Sequence, residues 1–301
     1  MDSSSLTKLI TEAKKVLNSY KFRPKDSKGK PGSLVMIPDQ LTPIIVGDLH
    51  GAVNNLKEIV NHDGNLERIK SGKAMLLIIG DALHNDQTGQ MLEMQSSIDS
   101  LEYVLSLICE FPDNVMYIRG NHDTFDDRLK KSGIAQGAEF RKFLVKNADE
   151  QCADELESFF ESLPMFIIGK GYVITHAGPV RHGITREELI NVYYDINSYM
   201  QLMWNRIHEF RGNPSLKEYG EDDIKDMLAK LKLPPDTHFI VGHNPLWNTG
   251  ETSGVWMNVL GIKNHHIIYS NLQTRAPYLV YENDEIKKKF AIPPKKEAFY
   301  V

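Results

Sequence analysis

Apolar and β-branched residues recur along the chain in seven short runs, each with the length of a buried strand. The runs that we predict as strands cover 43–46, 75–79, 115–119, 172–176, 238–241, 267–270 and 278–282. Between several of them, apolar residues return at helical spacing, which predicts amphipathic helices over 6–17, 56–62, 91–110, 138–163, 186–203 and 223–231. Strands that alternate with helices indicate an α/β layered fold.

The two ends of the chain depart from this pattern. Residues 21–33 are rich in Lys, Pro, Gly and Ser, which predicts an exposed connection between an N-terminal helix and the first strand. Residues 287–296 are basic and include two prolines, which predicts a solvated extension. We therefore divide the chain into an N-terminal helix and loop over 1–33, a main domain over 34–286 and a basic tail over 287–301.

Composition narrows the class of protein. The 301 residues carry a net charge of -5 and are 41% hydrophobic, which suits a protein with a sizeable core. An acidic balance argues against a protein that coats nucleic acid, so we expect no nucleic-acid partner. The N-terminus lacks the features of a signal peptide, and no apolar run has the length of a membrane span. We expect a soluble, cytoplasmic protein, with export as a bacterial effector as an open alternative.

The two cysteines, Cys109 and Cys152, do not form a C-x-x-C pair. We expect both to be free thiols, which suits a reducing compartment.

Residues with metal-binding side chains follow five of the predicted strands, and each lies beside a glycine. Ligands of open α/β sheets bind beyond the carboxyl ends of the strands, so we expect these loops to meet at one site. Each motif alone has a structural explanation, such as a turn, a helix cap or a buried core histidine. Five in succession favour a shared site. In chain order the residues are Asp48 and His50, Asp81, Asn121 with His122, His176, and His243.

These side chains are chemically suited to two divalent metal ions. Carboxylate, imidazole and amide oxygen ligands bind Mn, Fe and Zn without selecting one sharply. A carboxylate shared by two ions holds them about 3.5 to 4 Å apart, the separation found in two-metal hydrolytic sites. We predict Asp81 as this bridge. Manganese is the expected metal, with iron, zinc or magnesium as alternatives.

The ordered motifs resemble those of the calcineurin-like metallophosphoesterases, and within them the phosphoprotein phosphatase branch. The pattern of that branch is GDxHG, GDxVDRG, GNHE and two later histidines, and the likeness extends over about 43–245. It implies a sandwich of two mixed β-sheets flanked by helices, with helical insertions rimming the active site, and it makes 34–286 the catalytic domain. The implied ligands are Asp48, His50 and Asp81 for the first metal, and Asp81, Asn121, His176 and His243 for the second.

The same resemblance implies in-line attack on phosphorus by a metal-bridging hydroxide, with His122 as the general acid. The leaving alcohol or phenol needs a proton, which an adjacent imidazolium can give. A purely structural role is the alternative for His122. We also expect Asn121 and His122 to contact the substrate phosphate.

The second motif departs from the family pattern. His84 and Asn85 stand where the family has Asp and Arg, so the roles of orienting the acid histidine and clamping the phosphate do not transfer. His84 and Asp86 are candidate partners of His122. Arg206 is the predicted phosphate clamp because guanidinium binds phosphate bidentately, and a surface salt bridge is its alternative. Asn85 remains a weaker candidate for substrate contact.

The sequence favours a phosphatase that acts on phosphoserine, phosphothreonine or phosphotyrosine in proteins, and the choice among the three stays open. A dinucleoside polyphosphate hydrolase and a phosphate-binding pseudo-phosphatase are the alternatives. The aromatic residues Trp247 and Trp256 are expected to pack in the core more than to line a groove. We expect structural roles for the other histidines, which are His62, His182, His208, His238, His265 and His266.

Overall fold

Two β-sheets flanked by helices form the body of the protein. The computed structural model describes residues 3–85, 91–130, 133–210, 212–246 and 249–292. The α-helices in this part of the chain are α1 (Ser3–Asn18), α2 (Val53–Asn61), α3 (Asn65–Lys70), α4 (Gln95–Glu110), α5 (Gln136–Asn147), α6 (Glu150–Ser162), α7 (Arg186–Ile190), α8 (Ile196–Trp204) and α9 (Glu221–Lys230). The strands are β1 (Leu34–Met36), β2 (Thr42–Val46), β3 (Ala74–Ile78), β4 (Val115–Tyr117), β5 (Phe166–Gly169), β6 (Tyr172–Thr175), β7 (Arg206–Ile207), β8 (Glu218–Tyr219), β9 (His238–Val241), β10 (Val255–Met257), β11 (His265–Ile268), β12 (Pro277–Glu282) and β13 (Glu285–Phe290).

Both large sheets mix parallel and antiparallel pairs. One has the strand order β13-β12-β2-β3-β4, and the other has the order β1-β5-β6-β9-β11-β10. The strands β2, β3 and β4 are parallel neighbours in the first sheet, and β6, β9 and β11 are parallel neighbours in the second. Parallel strands end at the same edge of a sheet, so each sheet gathers several loops at one edge. The predicted sandwich of two mixed sheets is confirmed.

The central strands are continuous apolar runs because both of their faces are covered. Every residue of β3 is buried, as is every residue of β6. The helix α1 buries Leu6, Ile10, Ala13 and Leu17 along one side, and it packs against α4 and α6. The N-terminal helix therefore belongs to the same hydrophobic core as the sheets.

The predicted strands all form, but two of the predicted helices are interrupted. The stretch 138–163 is divided between α5 and α6, because the Asp149 side chain accepts a hydrogen bond from the Cys152 backbone N–H and starts a new helix. The stretch 186–203 is divided between α7 and α8 in the same way, with Asp195 accepting from the Asn197 N–H. Local capping thus overrides the continuous apolar spacing.

The predicted solvated tail is wrong for residues 287–290, which belong to β13. This strand pairs antiparallel with the whole of β12. Asn283 and Asp284 join the two strands with positive φ angles of 55° and 61°, as a tight hairpin turn requires. The lysines extend from an edge strand, where charge prevents pairing with another chain. Residues 293–301 lie outside the described residues.

The connection over 21–33 is also less exposed than predicted. Arg23 is buried, and its guanidinium donates to the backbone oxygens of Gly32 at 2.7 Å and Ser162 at 2.6 Å. It also donates to the Tyr193 hydroxyl at 3.1 Å. One buried cation therefore ties this segment to α6 and to the chain before α8.

Two further expectations concern the described residues alone. Cys109 and Cys152 are both free thiols, as predicted. Within the described ranges, no helix combines the length and the apolar character needed to cross a bilayer.

Candidate active site

The predicted metal ligands come together where the loops that follow β2, β3, β4, β6 and β9 meet. The structure places all six of these side chains, buried, around one point. Ligand atoms of Asp48, His50 and Asp81 lie within 4.8 Å of one another, and so do those of Asp81, His176 and His243. The two sets share Asp81, which is the arrangement expected of a carboxylate that bridges two ions.

The backbone at the cluster has an unusual conformation. His50, Asp81 and His243 have positive φ angles of 44°, 50° and 57°, a conformation that non-glycine residues rarely adopt and that concentrates at functional sites. A Cβ atom at Gly120 would lie 2.1 Å from Asp81 Oδ1, so only glycine fits at that position. This close approach aims the Asp81 carboxylate at the cluster.

Asp123 holds the loops behind the cluster in register. Its carboxylate accepts hydrogen bonds from the Tyr117 hydroxyl at 2.6 Å, the Gly120 N–H at 2.7 Å and the Asp81 N–H at 3.3 Å. In turn, Asp81 Oδ1 accepts from the His122 N–H at 2.8 Å. Asp123 therefore links the loop after β4 to the loop after β3.

The carboxylates and histidines of the cluster shift one another's pKa values. Burial raises the pKa of Asp48 to about 7, against an opposing effect of His176. Burial alone would lower the pKa of His176, but the Asp81 carboxylate outweighs it and raises that pKa to about 9. Among the described residues, the ion-pair partners of the two carboxylates are histidines, with His176 Nε2 3.4 Å from Asp81 Oδ2 and His50 Nε2 3.9 Å from Asp48 Oδ2. Buried carboxylates that draw positive charge in this way also favour divalent cations.

His176 and His243 converge on the amide oxygen of Asn121. Nε2 of His176 and Nδ1 of His243 each lie 2.8 Å from Asn121 Oδ1. Nδ1 of His176 lies 2.8 Å from the Ile79 carbonyl oxygen, which makes Nδ1 a donor. Its Nε2 faces the Asn121 oxygen, so either a proton or a metal ion belongs between these two atoms, and the raised pKa of His176 reflects the proton. The three side chains therefore fit a metal ion.

A cavity of about 210 Å³ opens onto the cluster, and we call it the central cavity. It contains predicted ligands, the predicted acid and the predicted clamp, together with residues that sequence reasoning misses. The lining residues are His50, Asp81, Asn121, His122, Thr124, Asp126, Leu129, Lys130, Gln136, Gly137, Trp204, Arg206, His243, Pro245 and Tyr269.

His122 lies in the central cavity beside the cluster. Its ring centroid is 5.5 Å from that of His50 and 6.1 Å from that of His84. His84, a predicted partner of His122, contacts its backbone and not its ring: His84 Nε2 lies 3.2 Å from the His122 backbone oxygen. The ring of Phe140, 5.3 Å away, holds His84 in that direction. Asp86, the other candidate partner, lies outside the described residues.

The predicted clamp Arg206 faces the central cavity. Its Nε lies 3.4 Å from His243 Nε2. Asn85 has a different environment: its Nδ2 donates to Glu93 Oε2 at 3.4 Å, and it is not among the residues that line the cavity. The role of Asn85 in substrate contact stays a prediction without support from its position.

Of the cavity residues that sequence reasoning misses, Tyr269 had a usable signal. It directly follows β11, it bridges to Asp48 along the backbone, and its hydroxyl hydrogen-bonds the Asp48 carboxylate. The strand-end rule that found the ligands applies to it equally. Lys130, in a loop, and Gln136, at the start of α5, follow no strand and have no such signal. Trp204 packs edge-on against His243, with ring centroids 5.7 Å apart.

Comparison with known proteins agrees with the site. A model of the calcineurin-like phosphoesterase family matches residues 41–269. Because this match covers most of the chain, the protein belongs to the calcineurin-like phosphoesterase family.

Individual relatives are distant. A curated relative, the symmetrical bis(5'-nucleosyl)-tetraphosphatase of Aromatoleum aromaticum (strain DSM 19018 / LMG 30748 / EbN1), is 23% identical over 167 residues, which are 53% of this chain and 55% of that protein. The match thus spans about half the length of the curated relative.

Solved structures resemble the chain over a greater length. A serine/threonine phosphatase from Saccharomyces cerevisiae with similarity to human phosphatase PP5 has a TM-score of 0.71 and 16% identity, covering 99% of this chain and 92% of that chain. A mutant of a cold-active protein tyrosine phosphatase has a TM-score of 0.53 and 15% identity, covering 85% and 81% of the two chains. At such identities the likeness shows the fold.

Proposed function

We propose that this protein is a phosphatase that uses two divalent metal ions to hydrolyse phosphomonoesters on protein side chains. The observation that carries the proposal is the sharing of Asp81 between two sets of ligand atoms at the floor of the central cavity. Asp48, His50 and Asp81 would hold one ion, and Asp81, Asn121, His176 and His243 the other. Manganese is the metal we favour.

The metals, when bound, would lower the pKa of water toward neutrality and neutralise charge on the phosphate. The remaining work falls to the protein. His122 gives a proton to the leaving oxygen, and its place in the central cavity beside His50 supports this role. Arg206 binds the phosphate oxygens from the same cavity. Burial of the metal-binding residues excludes bulk water and strengthens each of these electrostatic contacts.

The central cavity of about 210 Å³ matches a phosphorylated side chain in size, and an adjoining cavity of about 690 Å³ shares Asn121, Thr124 and Trp204 with it. Together they have room for the residues that flank a phosphoresidue, and equally for a nucleotide. The likeness in fold to a serine/threonine phosphatase over 99% of the chain supports the protein substrate. Hydrolysis of a dinucleoside polyphosphate is the second candidate, because the curated relative from Aromatoleum aromaticum is a symmetrical tetraphosphatase.

Turnover by metal-stripped protein refilled with manganese tests both candidates. The panel contains peptides with phosphoserine, phosphothreonine or phosphotyrosine, and diadenosine tetraphosphate. We expect release of inorganic phosphate from at least one phosphopeptide, only after metal is added. Preference for the dinucleotide would favour the second candidate, and metal-loaded protein that turns over none of the four would instead be a phosphate-binding pseudo-phosphatase.

A further inference from the structure

One buried amide of the central cavity lacks a partner. Gln136 is the first residue of α5, and it is among the residues that line the cavity although it is only 2% exposed. Neither Oε1 nor Nε2 has a hydrogen-bond partner within the part of the chain that the structure describes. Burying such a group without a partner is unfavourable, so a ligand group is expected to complete it.

The fold fixes this amide next to the predicted acid. A Cβ atom at Gly137 would lie 1.9 Å from the Thr124 carbonyl oxygen, so glycine allows α5 to approach the loop that follows His122. Further along the same helix, Phe140 packs edge-on against His84, which in turn contacts the His122 backbone. Gln136 is therefore held on a rigid helix, at a constant position relative to His122.

The chemistry of a carboxamide indicates what completes it. One end of the group donates hydrogen bonds and the other accepts them, so its complement presents an acceptor and a donor side by side. A peptide main chain offers this pair, as does the edge of an adenine base. Because the proposed substrate is a phosphorylated protein, we assign the peptide main chain as the complement and keep the adenine edge as the alternative that the experiment tests.

We propose that Gln136 is a specificity-determining residue that hydrogen-bonds the main-chain amide groups beside the phosphorylated residue of a protein substrate. Its Oε1 accepts from a substrate N–H, and its Nε2 donates to a substrate carbonyl. The inference rests on the proposed function and deepens it, because it gives the enzyme a preference for phosphate carried on a peptide over phosphate on a small alcohol or phenol.

Paired substrates and paired variants test the assignment. Gln136→Met keeps the length of the side chain and removes both polar atoms, and Gln136→Glu keeps the shape with one acceptor more. The matched control is Gln151→Met, at an exposed position of α6. The substrates are a phosphopeptide that the wild type turns over, p-nitrophenyl phosphate, and diadenosine tetraphosphate. Depsipeptides, in which each amide beside the phosphoresidue becomes an ester in turn, complete the set.

Loss of two neutral hydrogen bonds should lower kcat/KM for the phosphopeptide about tenfold. We expect the effect of Gln136→Met to be at least about fivefold greater on the phosphopeptide than on p-nitrophenyl phosphate. One of the ester substitutions should reproduce part of that loss in the wild type and cause none in Gln136→Met. Melting temperature and metal content, measured for each variant, verify that the comparison is made on folded protein.

Three outcomes would overturn the assignment. Equal losses on the phosphopeptide and p-nitrophenyl phosphate would give Gln136 a role in the architecture of the site. Losses no greater than those of the Gln151 control would leave it without substrate contact. A selective loss on diadenosine tetraphosphate would make it a base-reading residue. Failure of the proposed function is recognised separately, by wild-type protein that hydrolyses p-nitrophenyl phosphate and none of the phosphopeptides.

Discussion

Two groups of histidines lie at opposite ends of the same sheet, and the groups differ in their hydrogen-bond and ion-pair partners. His176 and His243 follow β6 and β9 at the carboxyl ends of the strands, close to Asp81 and to the amide oxygen of Asn121. His265 and His266 begin β11 at its other end, and His238 begins the neighbouring β9. Burial alone is thus no sign of metal binding.

The second group is satisfied by neutral partners. Nδ1 of His238 lies 2.9 Å from Nε2 of His266. Nδ1 of His265 lies 3.0 Å from the Phe239 carbonyl oxygen, and its Nε2 lies 3.0 Å from the Tyr219 hydroxyl. Burial lowers the pKa of His265 to about 4, whereas Asp81 raises that of His176 to about 9 despite burial.

The contrast follows from sheet polarity. Loops at the carboxyl ends of parallel strands converge, so carboxylates from one sheet meet imidazoles from the other. At the opposite end, the hydrogen-bond partners of His265 and His266 are neutral groups, and burial lowers the pKa of both residues. Charged partners, and not histidine itself, separate a candidate metal centre from a core cluster.

The largest expected effect is that of removing the shared charge. Asp81→Asn keeps the size of the side chain but leaves two cations without the carboxylate between them. We expect less than two equivalents of bound metal and a loss of turnover of about 1,000-fold or more, since the metals supply several kcal/mol of stabilisation. Metal content and phosphate release measure it, with the exposed Asp222→Asn as the control. Full turnover with two equivalents of metal would contradict the bridging assignment.

His122→Asn is expected to separate chemistry from metal binding. Metal content should remain near two equivalents while turnover of a phosphopeptide falls about 100-fold or more, the usual contribution of a general acid. The loss should shrink for p-nitrophenyl phosphate, because its leaving group needs less help from a proton. Equal losses with good and poor leaving groups would show that His122 shapes the site without donating the proton.

Arg206→Ala should have a smaller effect, on substrate and not on metal. Hydrogen bonds to charged groups contribute about 1.5 to 3 kcal/mol, so the loss of one corresponds to about 10- to 100-fold in kcat/KM. Arg206→Lys should recover only part of this loss, because lysine cannot bind phosphate bidentately. The control is Arg186→Ala, whose Nε donates to the Leu231 carbonyl oxygen on a different part of the surface. A kinetically silent Arg206→Ala would exclude it as the clamp.

Sequence patterns predicted the metal-binding residues of the site better than the other residues that line the central cavity. Asp48 and Asp81 follow a buried strand after a short turn and His176 follows one directly, so the position of the strand end fixes the position of the side chain. The other lining residues include Lys130, Gln136 and Trp204. They belong to the segments between β4 and β5 and between β6 and β7, and they approach the cavity only because of the way in which those segments pack.

The elements of the fold differ in the same way: strands evident from their own residues were predicted, and strands that depend on pairing with another part of the chain were missed. The long apolar strand β3 is evident from its own residues, whereas β1 is three residues long and depends on pairing with β5, over 130 positions later. The hairpin of β12 and β13 was missed because three lysines and nearby prolines suggested a solvated tail. Pairing with β12 supplies backbone hydrogen bonds that the composition of β13 does not reveal.

The smallest effect on turnover is expected for a change at His266, in the histidine group away from the site. The effect of that change should appear in the pH dependence of stability. Burial, with the nearby His238 and His265, lowers the pKa of His266 to about 3, below the unfolded value near 6.5. Between these two pH values His266 is protonated in the unfolded chain and neutral in the folded chain. The free energy of unfolding therefore falls as the pH drops below about 6.5. In His266→Gln this dependence should be shallower by up to about 1.4 kcal/mol per pH unit, measured by urea unfolding between pH 7 and pH 5. The exposed His182→Gln is the control for removing a histidine, and metal content and turnover at pH 7 should match the wild type. An unchanged slope would place a proton on His266 in the folded protein, and loss of bound metal would contradict the division of the histidines into two groups.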